Sequence, residues 1–250
     1  MRQISDLPIT TRVVADAQAA AREVAAEIAR EIGHKPSLVL GCATGRTPRA
    51  TYAELVRLAQ EGLSCRQLRT FNLDEYHGLD AHNTASFESF MQRQLFQPAG
   101  INSELTLFPR CMTLGEDPLA AASHFEAQIT NAGGIDLQLL GIGGNGHIAF
   151  NEPGSKRESR TRLVKLAEST RLANARDFPE GESVPTHAMT MGIETIFEAR
   201  KLRVLAFGAH KAEIIRRVLH EPVTDELPAS FLREHADVVL WLDEEAAENL

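Results

Sequence analysis

The sequence predicts an α/β protein: a doubly wound, mostly parallel sheet with helices on both faces, in a single Rossmann-like domain. Three observations predict it. Short, continuous apolar runs recur along the chain, each bounded by turn residues or charge, as strands buried on both faces require. Stretches with helical spacing alternate with these runs, which calls for parallel strands joined by crossover helices. The length of 250 residues fits one unit, and no internal repeat, low-complexity segment or linker divides it.

The first helix is expected at 16–33. Ala17, Ala20, Val24 and Ile28 share one face, Asp16 suits the cap, and Gly33 suits the end. Strands follow at SLVLGC (37–42), LRTFNLD (68–74), DLQLLGIG (136–143), RVLAFG (203–208) and DVVLWLD (237–243). Further helical patterns fall at 48–61, 84–96, 117–131, 187–198 and 210–219. The polar stretch 175–185 reads as a mobile loop.

Composition narrows the function classes. Hydrophobic residues make up 43% and charged residues 24%, ordinary for a globular protein that folds without a staple. The formal net charge of −8 argues against broad nucleic-acid binding, so an anionic ligand would need local cations. No apolar run reaches membrane-span or signal-peptide length. Cys42, Cys65 and Cys111 are odd in number and widely spaced, which points to a reducing compartment, here the cytoplasm. The histidines show no HxH or HExxH spacing, so no metal site is expected.

In such folds ligands sit beyond the carboxyl ends of the strands, and four of those ends carry chemistry. In GCATGRTPRATY (41–52), Thr47 suits an N-cap and Pro48 the first turn of a helix. The backbone N–H groups of Gly45, Arg46 and Thr47 then form either an anion site or a tight turn that needs glycine for geometry alone. In TFNLDEYHGL (70–79), Asp74 and Glu75 end a strand, and adjacent strand residues point to opposite sides. One of them can face the cleft; a partly dry carboxyl there would be a stronger base, while the plainer alternative is a loop-bracing carboxylate.

In GIGGNGHIAFNE (141–152), four glycines precede His147, and Asn145-Gly146 is a strong turn pair. The glycines let backbone approach a ligand, the imidazole can exchange protons near neutral pH, and Glu152 can fold back onto it. The fourth feature is cationic: Arg160 and Arg162 in SRTR, Arg171 in STRLANAR, and Lys211 at a helix start, where the macrodipole disfavours a cation unless an anion is bound. His187 is expected at a helix start on the surface.

Taken in order, ATGRTPRATY, FNLDEYHGL, GNGHIAFNEPGS, SRTR, TRLANAR, VPTHAMTMG and GAHKA resemble the glucosamine-6-phosphate deaminases, in the wider group that includes 6-phosphogluconolactonase. The likeness runs from about residue 37 to residue 243. It implies a conversion of glucosamine 6-phosphate to fructose 6-phosphate with release of ammonia, without metal or cofactor. By position, Asp74 resembles the base that moves the C2 proton, His147 the residue that assists ring opening, and Glu152, with Asn145, its tuning partners. Gly45, Arg46, Thr47, Arg171 and Lys211 would hold the phosphate, under a lid at about 155–187. The sibling readings are a galactosamine-6-phosphate deaminase or a 6-phosphogluconolactonase, and a third is a non-catalytic sugar-phosphate sensor. Nucleic acid and membrane are not implied partners, and monomer and homo-oligomer both fit.

Three positions depart from the common pattern. Asn145 stands where an aspartate is frequent. Val164 stands where allosterically regulated members carry a lysine, and the chain ends soon after DVVLWLD, so weak or absent activation by N-acetylglucosamine 6-phosphate is expected. Cys42-Ala43 and Arg46 make the phosphate loop unusual.

Overall fold

A computed structural model of the chain describes residues 1–80, 83–111 and 115–250, with Ala173 and Asp177 described by backbone alone. The strands are β1 (Arg2–Ile4), β2 (Thr10–Val14), β3 (Val39–Cys42), β4 (Arg69–Asn72), β5 (Asp74–Tyr76), β6 (Thr106–Leu107), β7 (Leu137–Gly141), β8 (Arg162–Lys165), β9 (His187–Thr190), β10 (Leu202–Ala206) and β11 (Val238–Asp243). The helices are α1 (Ala17–His34), α2 (Arg49–Gln60), α3 (Phe87–Met91), α4 (Pro118–Asn131), α5 (Glu168–Asn174), α6 (Ile193–Phe197) and α7 (Ala212–His220), with short 3-10 and π turns between them.

The principal sheet runs β1-β2-β11-β10-β7-β3-β4-β6. Only the β1–β2 pair is antiparallel, and the other ladders are parallel. From β3 the chain winds outward through β4 to β6, then returns to β7 on the other side of β3 and winds the opposite way. The reversal between β3 and β7 is the switch point at which α/β sheets open a crevice. One face packs Val24, Ile28 and Leu55 against Leu40, Leu137 and Trp241. The other packs Phe125, Ile196, Ile215 and Val218 against Phe71, Leu140 and Val204. The strands are therefore apolar on both sides, which is why their sequences read as continuous runs. Arg203 of β10, almost fully buried, is satisfied by Glu27 of α1 at 2.6 and 2.8 Å and by Asp237 at 2.8 Å, so α1 is pinned to the sheet by a paired charge.

α1 starts where expected, with the Asp16 carboxylate accepting from Ala19 N at 2.7 Å, but it continues through Gly33 to His34. α2 begins one residue later than the Thr47 cap predicts; Pro48 occupies the N-cap position with no side-chain cap. Two further expectations are corrected by a second sheet, antiparallel, in the order β5-β9-β8. The expected strand at 68–74 is two strands in different sheets. Leu73 is the joint: its N–H donates to Cys42 O at 3.0 Å and its carbonyl accepts from Met191 N at 2.7 Å. The helix expected at 187–198 begins as β9, and His187 lies on that strand, because pairing with β5 and β8 outweighs the helical spacing. Gly192, between β9 and α6, lies against the Ser159 backbone.

A Cβ at Gly192 would stand 2.0 Å from Ser159 O, an atom that cannot swing aside. Gly192→Ala should therefore destabilise the fold by about 2 kcal/mol, read as a lower urea midpoint at unchanged m value.

Candidate active site

The crevice at the switch point is a cleft of about 530 Å³. Its floor is the ends of β3 and β7, and its walls come from β5, the segment after His147 and α5. Asp74, His147, Asn145 and Gly45 all line it, although they lie far apart in the chain.

Asp74 opens β5, opposite Thr190 of β9. Strand pleat turns its side chain into the cleft and that of Glu75 the other way. Glu75 accepts from Tyr76 N at 2.9 Å, Phe87 N at 3.0 Å and Glu88 N at 2.9 Å, and so caps α3. Among the described residues the Asp74 carboxyl has no such donors. Burial, and then the neighbouring Glu75 charge, push its pKa up to about 8.

The His147 loop answers to close packing. The imidazole lies over Gly143, where a Cβ would fall 2.2 Å from Cε1. Any side chain at 143 would displace the ring. Gly146 has φ 86, and a Cβ there would also meet Leu227 at 2.3 Å. Gly143 N donates to His147 O at 2.9 Å, and His147 N to Asn145 Oδ1 at 3.2 Å. Ala149, with φ 51, turns the chain so that His147 and Phe150 both reach the cleft.

Glu152 closes the constellation. Its Oε2 accepts from Asn145 Nδ2 at 2.7 Å and lies 3.5 Å from His147 Nδ1, a close approach longer than a good hydrogen bond. Its Oε1 accepts from the Thr170 hydroxyl of α5. Burial raises the Glu152 pKa, but His147, Thr170 and Asn145 outweigh it and hold the carboxyl down at about 2. The amide at 145 matters here: an aspartate would set a second carboxylate against Glu152.

The cations are placed differently from one another. Lys211, half-buried at the start of α7, donates to Ile142 O at 2.7 Å behind the cleft floor, and burial lowers its pKa. Arg171 donates to Val184 O at 3.1 and 3.3 Å and does not line the cleft. Arg46 and Thr47 lie beside Gly45, whose φ of 110 suits only glycine, but outside the lining. Arg160 pairs with Glu198 on the surface. Arg162 donates to Asn151 Oδ1 at 2.8 Å.

Composition alone did not single out Thr170, Asn174, Tyr76 or the aromatic wall of Phe87, Phe150 and Phe178. Thr170 and Asn174 are one helical turn apart in α5 and share its inner face. Asn174 Nδ2 donates to the Tyr76 hydroxyl at 2.9 Å. Among the described residues, no group of three or more His, Cys, Asp or Glu side chains is placed to hold a metal ion, and no helix is long and apolar enough to cross a membrane.

The fold and cleft define a switch-point α/β protein with a desolvated carboxyl and an imidazole in one crevice. Residues 13–241 match the family described as glucosamine-6-phosphate isomerases/6-phosphogluconolactonase, and the chain belongs to that family. It is 46% identical over 243 residues to a glucosamine-6-phosphate deaminase of Rhodopirellula baltica, covering 97% of this chain and 96% of that one. A solved monomeric glucosamine-6-phosphate deaminase is 40% identical, with a TM-score of 0.91 over 96% of this chain and 99% of that one. The 6-phosphogluconolactonase of Trypanosoma brucei is 26% identical, with a TM-score of 0.74 over 98% and 100% of the two chains.

A carboxyl whose folded pKa is raised, to about 8 from 3.8, is protonated when folded and ionised when unfolded between those values. It therefore lowers stability progressively as pH climbs from about 4 to about 8. Asp74→Asn should remove that decline and raise the Tm by several degrees at the alkaline end, measured calorimetrically across pH.

Proposed function

We propose that the chain converts glucosamine 6-phosphate to fructose 6-phosphate and ammonia. The observation that carries this reading is the meeting of Asp74 and His147 in one cleft of hexose-phosphate size, in a chain whose 46%-identical relatives bear the deaminase name. The lactonase relative is the more distant one, at 26% identity, which favours deamination over lactone hydrolysis.

The chemistry follows from the placement. His147, oriented by Glu152 and Asn145, moves a proton between the ring oxygen and the anomeric hydroxyl and opens the sugar. Asp74 takes the C2 proton of the open aldehyde, giving an enolamine, and returns it to C1. The resulting C2 imine adds one water and expels ammonia, leaving the ketone. Net stoichiometry is hydrolytic, because one water is consumed, while the proton movements are those of an isomerase. A carboxyl with a pKa of about 8 is a strong base for this class and is ionised in part at neutrality.

The remote phosphate is assigned to the turn at Gly45, Arg46 and Thr47, with Lys211 beneath it. Anchoring there positions C1 and C2 at Asp74. Arg171 joins only by releasing the Val184 carbonyl. The segment at about 155–187 acts as the lid; it includes β8 and the excursion through α5 that leads from β8 to β9. The unpaired Cys42, Cys65 and Cys111 support a reducing, cytoplasmic setting. The monomeric relative supports a site complete in one chain.

An ammonia-coupled assay with glucosamine 6-phosphate, galactosamine 6-phosphate and 6-phosphogluconolactone in parallel tests the reading. Ammonia from the first, with kcat/KM rising with pH and levelling near the Asp74 value of about 8, is expected. Asp74→Asn should abolish release while leaving phosphate binding nearly intact. Lactone hydrolysis without ammonia would replace the proposal by the lactonase reading, and tight binding without turnover by the sensor reading. Lys211→Ala should raise KM by about tenfold with a smaller change in kcat. An unchanged KM would detach Lys211 from the phosphate.

A further inference from the structure

Helix α5 touches both halves of the acid–base machinery from one face. Thr170 reaches Glu152, and Asn174, one turn on, reaches Tyr76 on the strand that begins with Asp74. The Thr170 contact is the more consequential. The two Glu152 oxygens have separate partners: Oε2 faces Asn145 and His147, whereas Oε1 takes its hydrogen bond from Thr170. Among the described residues His147 Nδ1 is buried with no hydrogen-bond partner, and the carboxylate 3.5 Å away is that of Glu152, so its surroundings depend on where Glu152 points.

We propose that Thr170 is a positioning residue for the deamination: its hydroxyl, carried on α5, holds Glu152 in the orientation that braces Asn145 and His147, so the seating of α5 governs the partner of the cleft histidine. This rests on the reading of His147 as the ring-opening residue. Thr170 is buried, and among the described residues it is the contact between α5 and Glu152. Without the hydroxyl, Oε1 has no donor from the cleft side, and the carboxylate is free to rotate about its terminal torsion. The titratable groups around Glu152 are otherwise His147, 3.5 Å away, and Lys156, Arg162 and Lys165 across a smaller cavity of about 410 Å³ that Glu152 also lines. None of these sits on α5, so a change confined to Thr170 leaves them in place.

The test compares Thr170→Val, which removes the donor at similar volume, with Thr170→Ser, which restores it. The Glu152 carboxyl is titrated by ¹³C NMR, assigned by its loss in Glu152→Gln. The wild type should titrate near 2. The valine variant should titrate about one pH unit higher, the effect of one lost hydrogen bond to a charged group, and the serine variant close to wild type. In the ammonia assay, valine should lower kcat about tenfold with little change in KM, and serine should recover most of it. An unmoved Glu152 titration in the valine variant, or wild-type kcat in it, would overturn the proposal. Should valine not fold, Thr170→Ala gives the same readings. A wild type that releases no ammonia would sink the functional reading instead, and the titration alone would then decide whether Thr170 sets the state of Glu152.

Discussion

The site depends on a constraint of strand geometry: two carboxylates adjacent in the chain are sent to opposite environments. Glu75 receives three backbone N–H groups at the start of α3 and serves structure. Asp74 receives none among the described residues, and the same pleat that satisfies its neighbour leaves it desolvated in the cleft. Placing titratable groups so that their surroundings push them apart is how one protein keeps a base and an ionised brace side by side. The second such separation is Glu152, held ionised by three partners while Asp74 is held protonated. The two carboxyls, at about 2 and about 8, therefore stand mostly in opposite protonation states at neutrality.

These environments are assembled at the switch point by close backbone approach. Gly143 leaves space for the His147 ring, and Gly146 lets the turn pass under Leu227. The amide of Asn145 then does double service, accepting from the His147 backbone and donating to Glu152. Because it is neutral, the histidine has one charged brace rather than two. The principal sheet holds this constellation, while the small antiparallel sheet holds Asp74, and Leu73 joins them through one hydrogen bond to each side. The cleft is the seam between two layers of different architecture.

Much of this is readable in the amino acids. The parallel strands are continuous apolar runs because both faces are covered, and α1 announces itself by spacing and by Asp16. The small sheet is not readable. Its strands are three or four residues long, and the spacing of Ala188, Met189, Ile193 and Ile196 suits a helix as well as the strand and turn they form. Only pairing with distant segments decides between the two. The chemistry at Asp74 and His147 shows in the sequence because glycines and charge at strand ends are unusual. Thr170 and Asn174 do not show, because their meaning lies in which face of α5 turns inward. The cation at 211 is visible as a conflict with the helix start, but its resting contact with Ile142 O depends on tertiary packing.

Ala149 carries a last implication. At φ 51 it sits in a conformation that glycine would occupy with less strain, at a saving of about 1 kcal/mol. Glycine would also give the unfolded segment more conformers to lose and the folded one more room to wander. The methyl group thus acts as a stiffener: the stretch between imidazole and phenyl ring gives up a little comfort in exchange for a fixed bearing.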